Sequence, residues 1–337
     1  MIASLALPLL VGLVALALAF DFLNGLHDAA NSIATVVSTR LLTPLQAVLF
    51  AAFFNFAAYF TFGLKVAETV GKGIIDKDAV TPAVIFGALV GAMVWNVITW
   101  WKGIPSSSSH ALIGGLVGAG VSHAGSGAIV WGGIGKTTSA IVASPVLGLV
   151  VAMALMLLTS WLFMRVTAGA AEGVFRRLHL VSSAAYSLGH GANDAQKTMG
   201  IITVLLYSQG YLGGTFHVPG WVVISCYVAM GLGTLSGGWK IIETMGSRIT
   251  RLSHHQGFCA SASGSLMLFF ASSLGIPVST THTITGCVVG VGAARRASAV
   301  RWGVAHRVVV AWLITIPASA AVGAACYWLA TLVSSAW

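Results

Sequence analysis

Two stretches of this chain are nearly the same sentence written twice. Gly103–Gly120 reads GIPSSSSHALIGGLVGAG and Gly275–Gly292 reads GIPVSTTHTITGCVVGVG, aligned without a gap so that His110 faces His282 across a separation of 172 residues. A second pair, NGLHDAANSIA from Asn24 and HGANDAQKTMG from His190, sets Asp28 against Asp194 at a separation of 166. A third, KVAETVGKGI from Lys65 and KIIETMGSRI from Lys240, is separated by 175. Three blocks in one order at near-constant spacing make the chain two homologous halves. We place the first at residues 1–168 and the second at 169–337, joined near GAAEGVFRRLHL.

The solvent for these halves is lipid. Hydrophobic residues make up 57% of the 337 and charged ones only 7%, where a soluble domain carries about 25% charged. Mean hydropathy is +0.91. Apolar runs reach the roughly 20 residues that a helix needs to cross a bilayer, so the expected fold is an all-α polytopic membrane protein. The first 20 residues lack a basic leader region and run straight into Asp21, Asn24 and Asp28, and they read as a retained first helix. The net charge of +9 is scattered through loops, which suits membrane topology better than nucleic acid. Cys226, Cys259, Cys287 and Cys326 lie apart in apolar surroundings and act as small hydrophobes.

In each half the apolar pattern breaks at a proline followed by hydroxyls. Residues 82–121, broken at Pro105, and residues 256–293, broken at Pro277, read as re-entrant hairpins, flanked in the first half by helices before Arg40, at about Pro44–Leu64 and at about Ala140–Arg165. Each half then crosses the membrane three times, and the second is inverted relative to the first. Were the first hairpin arm a complete span, the halves would be parallel. On the inverted arrangement most arginines, among them Arg40, Arg176, Arg177, Arg248 and Arg296, fall on one side, and Lys65, Lys72, Lys77 and Lys136 fall on the other. The positive-inside rule makes the arginine side cytoplasmic and leaves both termini extracytoplasmic.

The hydroxyl runs carry the first chemistry. Backbone at membrane depth must be buried or must line a polar cavity. Ser106, Ser107, Ser108 and Ser109 stand where a returning helix begins, as do Ser279, Thr280 and Thr281. A helix N-terminus offers unpaired N–H groups and partial positive charge, hence a site for an oxyanion. A kinked helix whose hydroxyls bond back to the preceding turn is the structural alternative. His110 and His282 follow directly; they either reach a substrate or anchor the tips.

The second chemistry lies in Asp28 and Asp194, two of only eight acidic residues, each inside an apolar helix. An ionisable group there is costly and points to function. With Asn24, Asn31 and Asn193 around them, they suit a hard cation or a titrating proton; a satisfied aspartate tying two helices together is the alternative. His27 and His190 stand beside them. The halves differ in this motif: Asn31 is matched by Lys197, whose ammonium takes a cation's position, pairs with Asp194, or reaches the anion. The Lys65/Glu68 and Lys240/Glu243 pairs fit i,i+3 ion pairs at helix ends.

FDFLNGLHDAANSIATVVSTR, GHGANDAQKTMG, KGIPSSSSHALIGGLVGAG and GIPVSTTHTITGCVVGVG together resemble the inorganic phosphate transporter family of secondary carriers, over essentially the whole chain. The resemblance implies cation-coupled phosphate symport in the cell membrane, an inverted-repeat fold, no cofactor, and in many members a homodimer. By motif it assigns the anion site to Ser106–Ser109 and Ser279–Thr281, and the cation site to Asn24, Asp28, Asn31, Asn193 and Asp194. The NDAQK form of the second motif is similar to that of members described as proton-coupled, so protons are expected ahead of sodium. A sulfate permease of the same fold is the nearest alternative. An intramembrane serine hydrolase, using Ser109–His110 or Thr281–His282, is disfavoured because adjacent helical residues point about 100° apart.

Overall fold

Hydroxyls and prolines set the helix starts. Thr43 caps helix α2 (Pro44–Ala57) in a reciprocal capping box with Gln46, and Ser253 does the same with Gln256 for α10 (His254–Ser273). Thr81 caps α4 (Pro82–Lys102), which has proline at its first position. Ser107 caps α5 (Ser108–Ala124) and Ser279 caps α11 (Thr280–Arg295). Between α4 and α5 the turn passes through Gly103 at φ +66°, and between α10 and α11 through Gly275 at φ +70°; both are left-handed positions where a side chain would be strained.

The computed structural model, which describes residues 6–335, is all-helical. Its remaining helices are α1 (Leu7–Ser38), α3 (Lys65–Gly73), α6 (Trp131–Leu162), α7 (Ala168–Ser208), α8 (Gly220–Ser236), α9 (Trp239–Glu243) and α12 (Trp302–Ser335). The chain ends, to which the expectation of extracytoplasmic termini applies, lie outside the described residues. Helices α1 to α6 and α7 to α12 follow the same order of long helix, bent pair, two hairpin arms and long helix. Among the described residues, four helices are long and apolar enough to cross a membrane: α1, α4, α6 and α12. The pairs α2–α3 and α8–α9, bent by 83° and 68°, bring that to six if each counts as one crossing. Exposed Leu, Val and Trp side chains cover the outer helices, among them Val142, Leu157, Trp161, Leu313 and Leu332. That is the surface of a protein whose surroundings are lipid.

Several boundaries differ from the sequence expectation. The span expected over 44–64 stops as α-helix at Ala57 and turns away into α3. Gln196 holds that bend: its Oε1 accepts from the Val66 and Ala67 amides at 3.0 and 3.3 Å, and its Nε2 donates to the Gly63 carbonyl at 2.8 Å. Helix α6 starts at Trp131 rather than Ala140, running through Gly132, Gly133 and Gly135 despite glycine's low helix propensity, which is what hid the extension in the sequence. The hairpin arms run to Ala124 and Arg295, a little past the expected 121 and 293, and the second begins at His254 where its capping box sets it.

The long last helix of each half packs on the hairpin of the other. Helix α12 lies along α4 and α5, and α6 along α10 and α11. Without a hydrophobic drive between helices in lipid, close backbone approach through small residues provides the contact. A Cβ on Gly118 would sit 2.0 Å from the Ala320 carbonyl, and one on Gly290, its repeat partner, 2.4 Å from that of Leu149. Pro145 in α6 and Pro317 in α12 occupy matching places within these two helices.

Candidate functional site

The middle of α1 and the middle of α7 are polar on apolar helices, and the two hairpin turns come to them. Asp28, Asn24 and Asn31 on α1, and Asp194, Asn193 and Lys197 on α7, are all 3% exposed or less. The rings of His110 and His282, at the starts of α5 and α11, are 4.4 Å apart edge to face. The Pro105 and Pro277 breaks therefore meet.

Each aspartate is reached by a hydroxyl from the second hairpin. Thr280 Oγ1 donates to Asp194 Oδ2 at 2.8 Å and Thr281 Oγ1 to Asp28 Oδ1 at 3.4 Å. Asn31 Nδ2 donates to both threonines, at 3.2 and 2.9 Å. From the first hairpin, Ser109 Oγ accepts from Lys197 Nζ at 2.5 Å. Ser106 Oγ donates to Thr99 Oγ1 at 2.9 Å and lies 3.4 Å from His27 Nε2. Ser107 and Ser279 each turn their hydroxyl to a backbone amide, that of His110 at 3.4 Å and of His282 at 3.1 Å. The Ser108 hydroxyl is buried with no hydrogen-bond partner. Ser107 and Ser279 thus cap the helices that follow them, and the hydroxyls of Ser106, Ser109, Thr280 and Thr281 meet side chains of other segments rather than the preceding turn.

Asp28 Oδ1 lies 2.7 Å from His27 Nδ1. Asp194 lies 2.5 Å from Lys197 Nζ through Oδ1 and 3.2 Å from His190 Nε2 through Oδ2. Asp28, His190 and Asp194 offer ligand atoms that all fall within 4.8 Å of one another. The buried Oδ1 atoms of Asn24 and Asn31 have no hydrogen-bond partner. Asn193 faces elsewhere: its Nδ2 donates to Ser272 Oγ at 3.2 Å and to the Ile276 carbonyl at 3.3 Å, tying α7 to the second hairpin's entering arm.

The histidines after the hydroxyl runs do not form nucleophile–base pairs. All four ring nitrogens of His110 and His282 lack a hydrogen-bond partner, and His282 stacks on Trp312 with centroids 3.7 Å apart. Trp312 in turn donates through Nε1 to the Pro105 carbonyl at 3.0 Å. The expected Lys–Glu pairs are absent among the described residues. Lys65 Nζ instead donates to the Ser273 carbonyl and Lys240 Nζ to that of Trp101, both at 3.0 Å. Each lysine holds the end of the other half's entering arm, next to Gly275 and Gly103 respectively.

Other contributors were hidden in the sequence. Asn55, a lone amide in apolar α2, lies 3.2 Å from His190 Nδ1 and donates to Thr234 at 3.0 Å. Tyr186 donates to the Thr280 carbonyl at 3.0 Å. Thr198 donates to Asp21 Oδ1 at 2.9 Å, deep between α7 and α1. A buried polar residue on an otherwise apolar helix was the available signal for Asn55 and Asp21; Tyr186 carries none.

Two carboxylates and two hydroxyl-tipped helix starts are thus brought together in the buried interior. Residues 24–323 match the phosphate transporter family. The chain belongs to that family. It is 65% identical over 332 residues, 98% of this chain and 99% of the other, to a probable low-affinity inorganic phosphate transporter of Rhizobium meliloti. It is 42% identical to a protein of the same description from Bacillus subtilis, again over 98% and 99%. A solved structure described as the sodium-dependent phosphate transporter superposes with a TM-score of 0.89 at 28% identity, covering 97% of this chain and 100% of that one. The chain is thus a multi-pass membrane transporter of phosphate and not an enzyme, which removes the hydrolase alternative.

Proposed function

We propose that the transporter imports inorganic phosphate across the cell membrane by symport with a cation, through alternating access, with protons preferred to sodium. The supporting observation is the meeting of the hairpin tips: hydroxyls from both converge on two buried aspartates, Thr280 and Thr281 on Asp194 and Asp28. Phosphate docks between the tips, taking hydrogen bonds from the starts of α5 and α11 and from Ser106, Ser108, Ser109, Thr280 and Thr281, so that its charge is met by amides and hydroxyls rather than by free cationic side chains. A carboxylate near the tips accepts a proton that phosphate carries and sulfate at neutral pH lacks, which gives selectivity between the two.

The coupling cation neutralises the Asp28 motif, with Asn24 and Asn31 as the neighbouring oxygen donors. His27 at 2.7 Å gives that aspartate a titratable partner, which favours a proton over sodium. Residues 1–168 and 169–337 act as an inverted pair, each hairpin closing one side of the membrane, with the arginine-rich side cytoplasmic and the termini outside.

The test uses purified protein in proteoliposomes with labelled phosphate and with proton and sodium gradients imposed separately. An inward proton gradient without sodium is expected to drive accumulation, and excess sulfate to leave most of it intact. Accumulation driven by sodium alone overturns the proton assignment, full displacement by sulfate overturns the substrate, and equilibration without accumulation overturns symport.

A further inference from the structure

At Lys197 the duplicated site exchanges an amide for an ammonium, because the repeat puts Asn31 in the matching position. Its ammonium has three N–H donors, and three oxygens surround it: Asp194 Oδ1 at 2.5 Å, Ser109 Oγ at 2.5 Å and the Val278 carbonyl at 2.8 Å. Every donor is used. As placed, the lysine has no N–H left for an anion, so it is not a phosphate ligand.

The acceptor set itself is informative. A carboxylate, a hydroxyl and a main-chain carbonyl, drawn from α7 and from both hairpin turns, are the oxygen types that a small hard cation collects. The repeat spacing assigns the mirror set to Asp28, Thr281 and the Ser106 carbonyl. On that side no ammonium is present: Asn31 contributes a neutral amide whose Oδ1 is buried without a partner. One half thus fills its cation position with its own side chain, and the other keeps oxygen donors waiting.

We infer that the Lys197 ammonium is a tethered cation, permanently occupying the second of two repeat-related cation positions, so that each phosphate travels with one coupling cation fewer than a symmetric site would require. The inference rests on the symport reading above. The ammonium bridges Ser109 and Val278, keeping the two tips assembled; a diffusible ion would have to bind before that assembly formed. The tether also keeps its charge at home: unlike a diffusible cation, it is not delivered with the phosphate.

The experiment measures the charge moved per phosphate in proteoliposomes, from the membrane potential that just balances a set phosphate gradient, for wild type, Lys197→Asn and Asn31→Lys. Lys197→Asn vacates a position that sodium can enter, and it is expected to carry one additional positive charge per phosphate and to acquire a sodium requirement beyond that of wild type. Asn31→Lys fills the mirror position and is expected to carry one charge fewer. A folded Lys197→Asn with unchanged charge per phosphate overturns the inference, as does one that binds no phosphate at any sodium concentration, which would make the lysine an anion ligand. Should Lys197→Asn not fold, an unchanged ratio in Asn31→Lys overturns it alone. Absence of phosphate-coupled charge movement in wild type counts against the symport reading, not against the tether.

Discussion

Asp28 and Asp194 began as copies, and the structure now treats them differently. Asp194 has both oxygens engaged, Oδ1 by Lys197 and Oδ2 by Thr280 and His190. Asp28 has close polar contacts only through Oδ1, to His27 and more distantly to Thr281, and the amide oxygens of Asn24 and Asn31 nearby are unpartnered. A buried charge that is fully matched is an architectural element, whereas one surrounded by unsatisfied acceptors awaits something positive. On the tether inference, duplication supplied two related seats, and lysine in place of asparagine closed one of them.

The contrast is most exposed by parallel neutralisation. Asp194→Asn strands the Lys197 ammonium in an apolar interior, and losing one member of a buried pair costs about 3–5 kcal/mol. Reduced thermal stability in detergent is expected together with lost uptake. Asp28→Asn keeps an acceptor for His27 and Thr281 and costs about 1 kcal/mol or less in stability, yet coupled uptake is expected to vanish. Equal stability losses in the two variants would erase the distinction. A second comparison lies at the crossed helices. Gly118→Ala and Gly290→Ala each force a methyl into a carbonyl of the opposing half's last helix, and each is expected to destabilise by about 1–3 kcal/mol, measured by thermal unfolding. A large effect in one and none in the other would show that the two clasps have diverged as the aspartates have. The smallest effect is expected at the elbows: Lys65→Met and Lys240→Met each remove one hydrogen bond at the protein surface, worth about 1 kcal/mol, and should shift the unfolding temperature slightly and equally.

What was legible in the sequence was whatever lipid makes expensive. Proline and four serines cannot continue a membrane helix, so the breaks at Pro105 and Pro277 and the caps beyond them stand out without any structure. Asp28 and Asp194 stand out for the same reason. Less legible were features fixed by contacts between distant segments. The bend after Ala57 is held by Gln196, which sits 130 residues from the Val66 amide it caps. Lys65 and Lys240 looked like local ion pairs because Glu68 and Glu243 stand at helical spacing; their actual acceptors, the carbonyls of Ser273 and Trp101, belong to the opposite half. The sequence raised three fates for Lys197. Only the positions of Ser109 and Val278 show that its hydrogens are all committed.

The exchange of the long last helices has a bearing on how such a chain is made. The first hairpin, α4 and α5, emerges early in synthesis, but the helix that covers it is α12, which begins only at Trp302. Until then the glycine-lined face of α5 lacks the helix that packs on it, and the nascent protein must shelter that face by other means. Loss of α12, by a premature stop codon or by proteolysis, would therefore injure a part of the molecule made long before it.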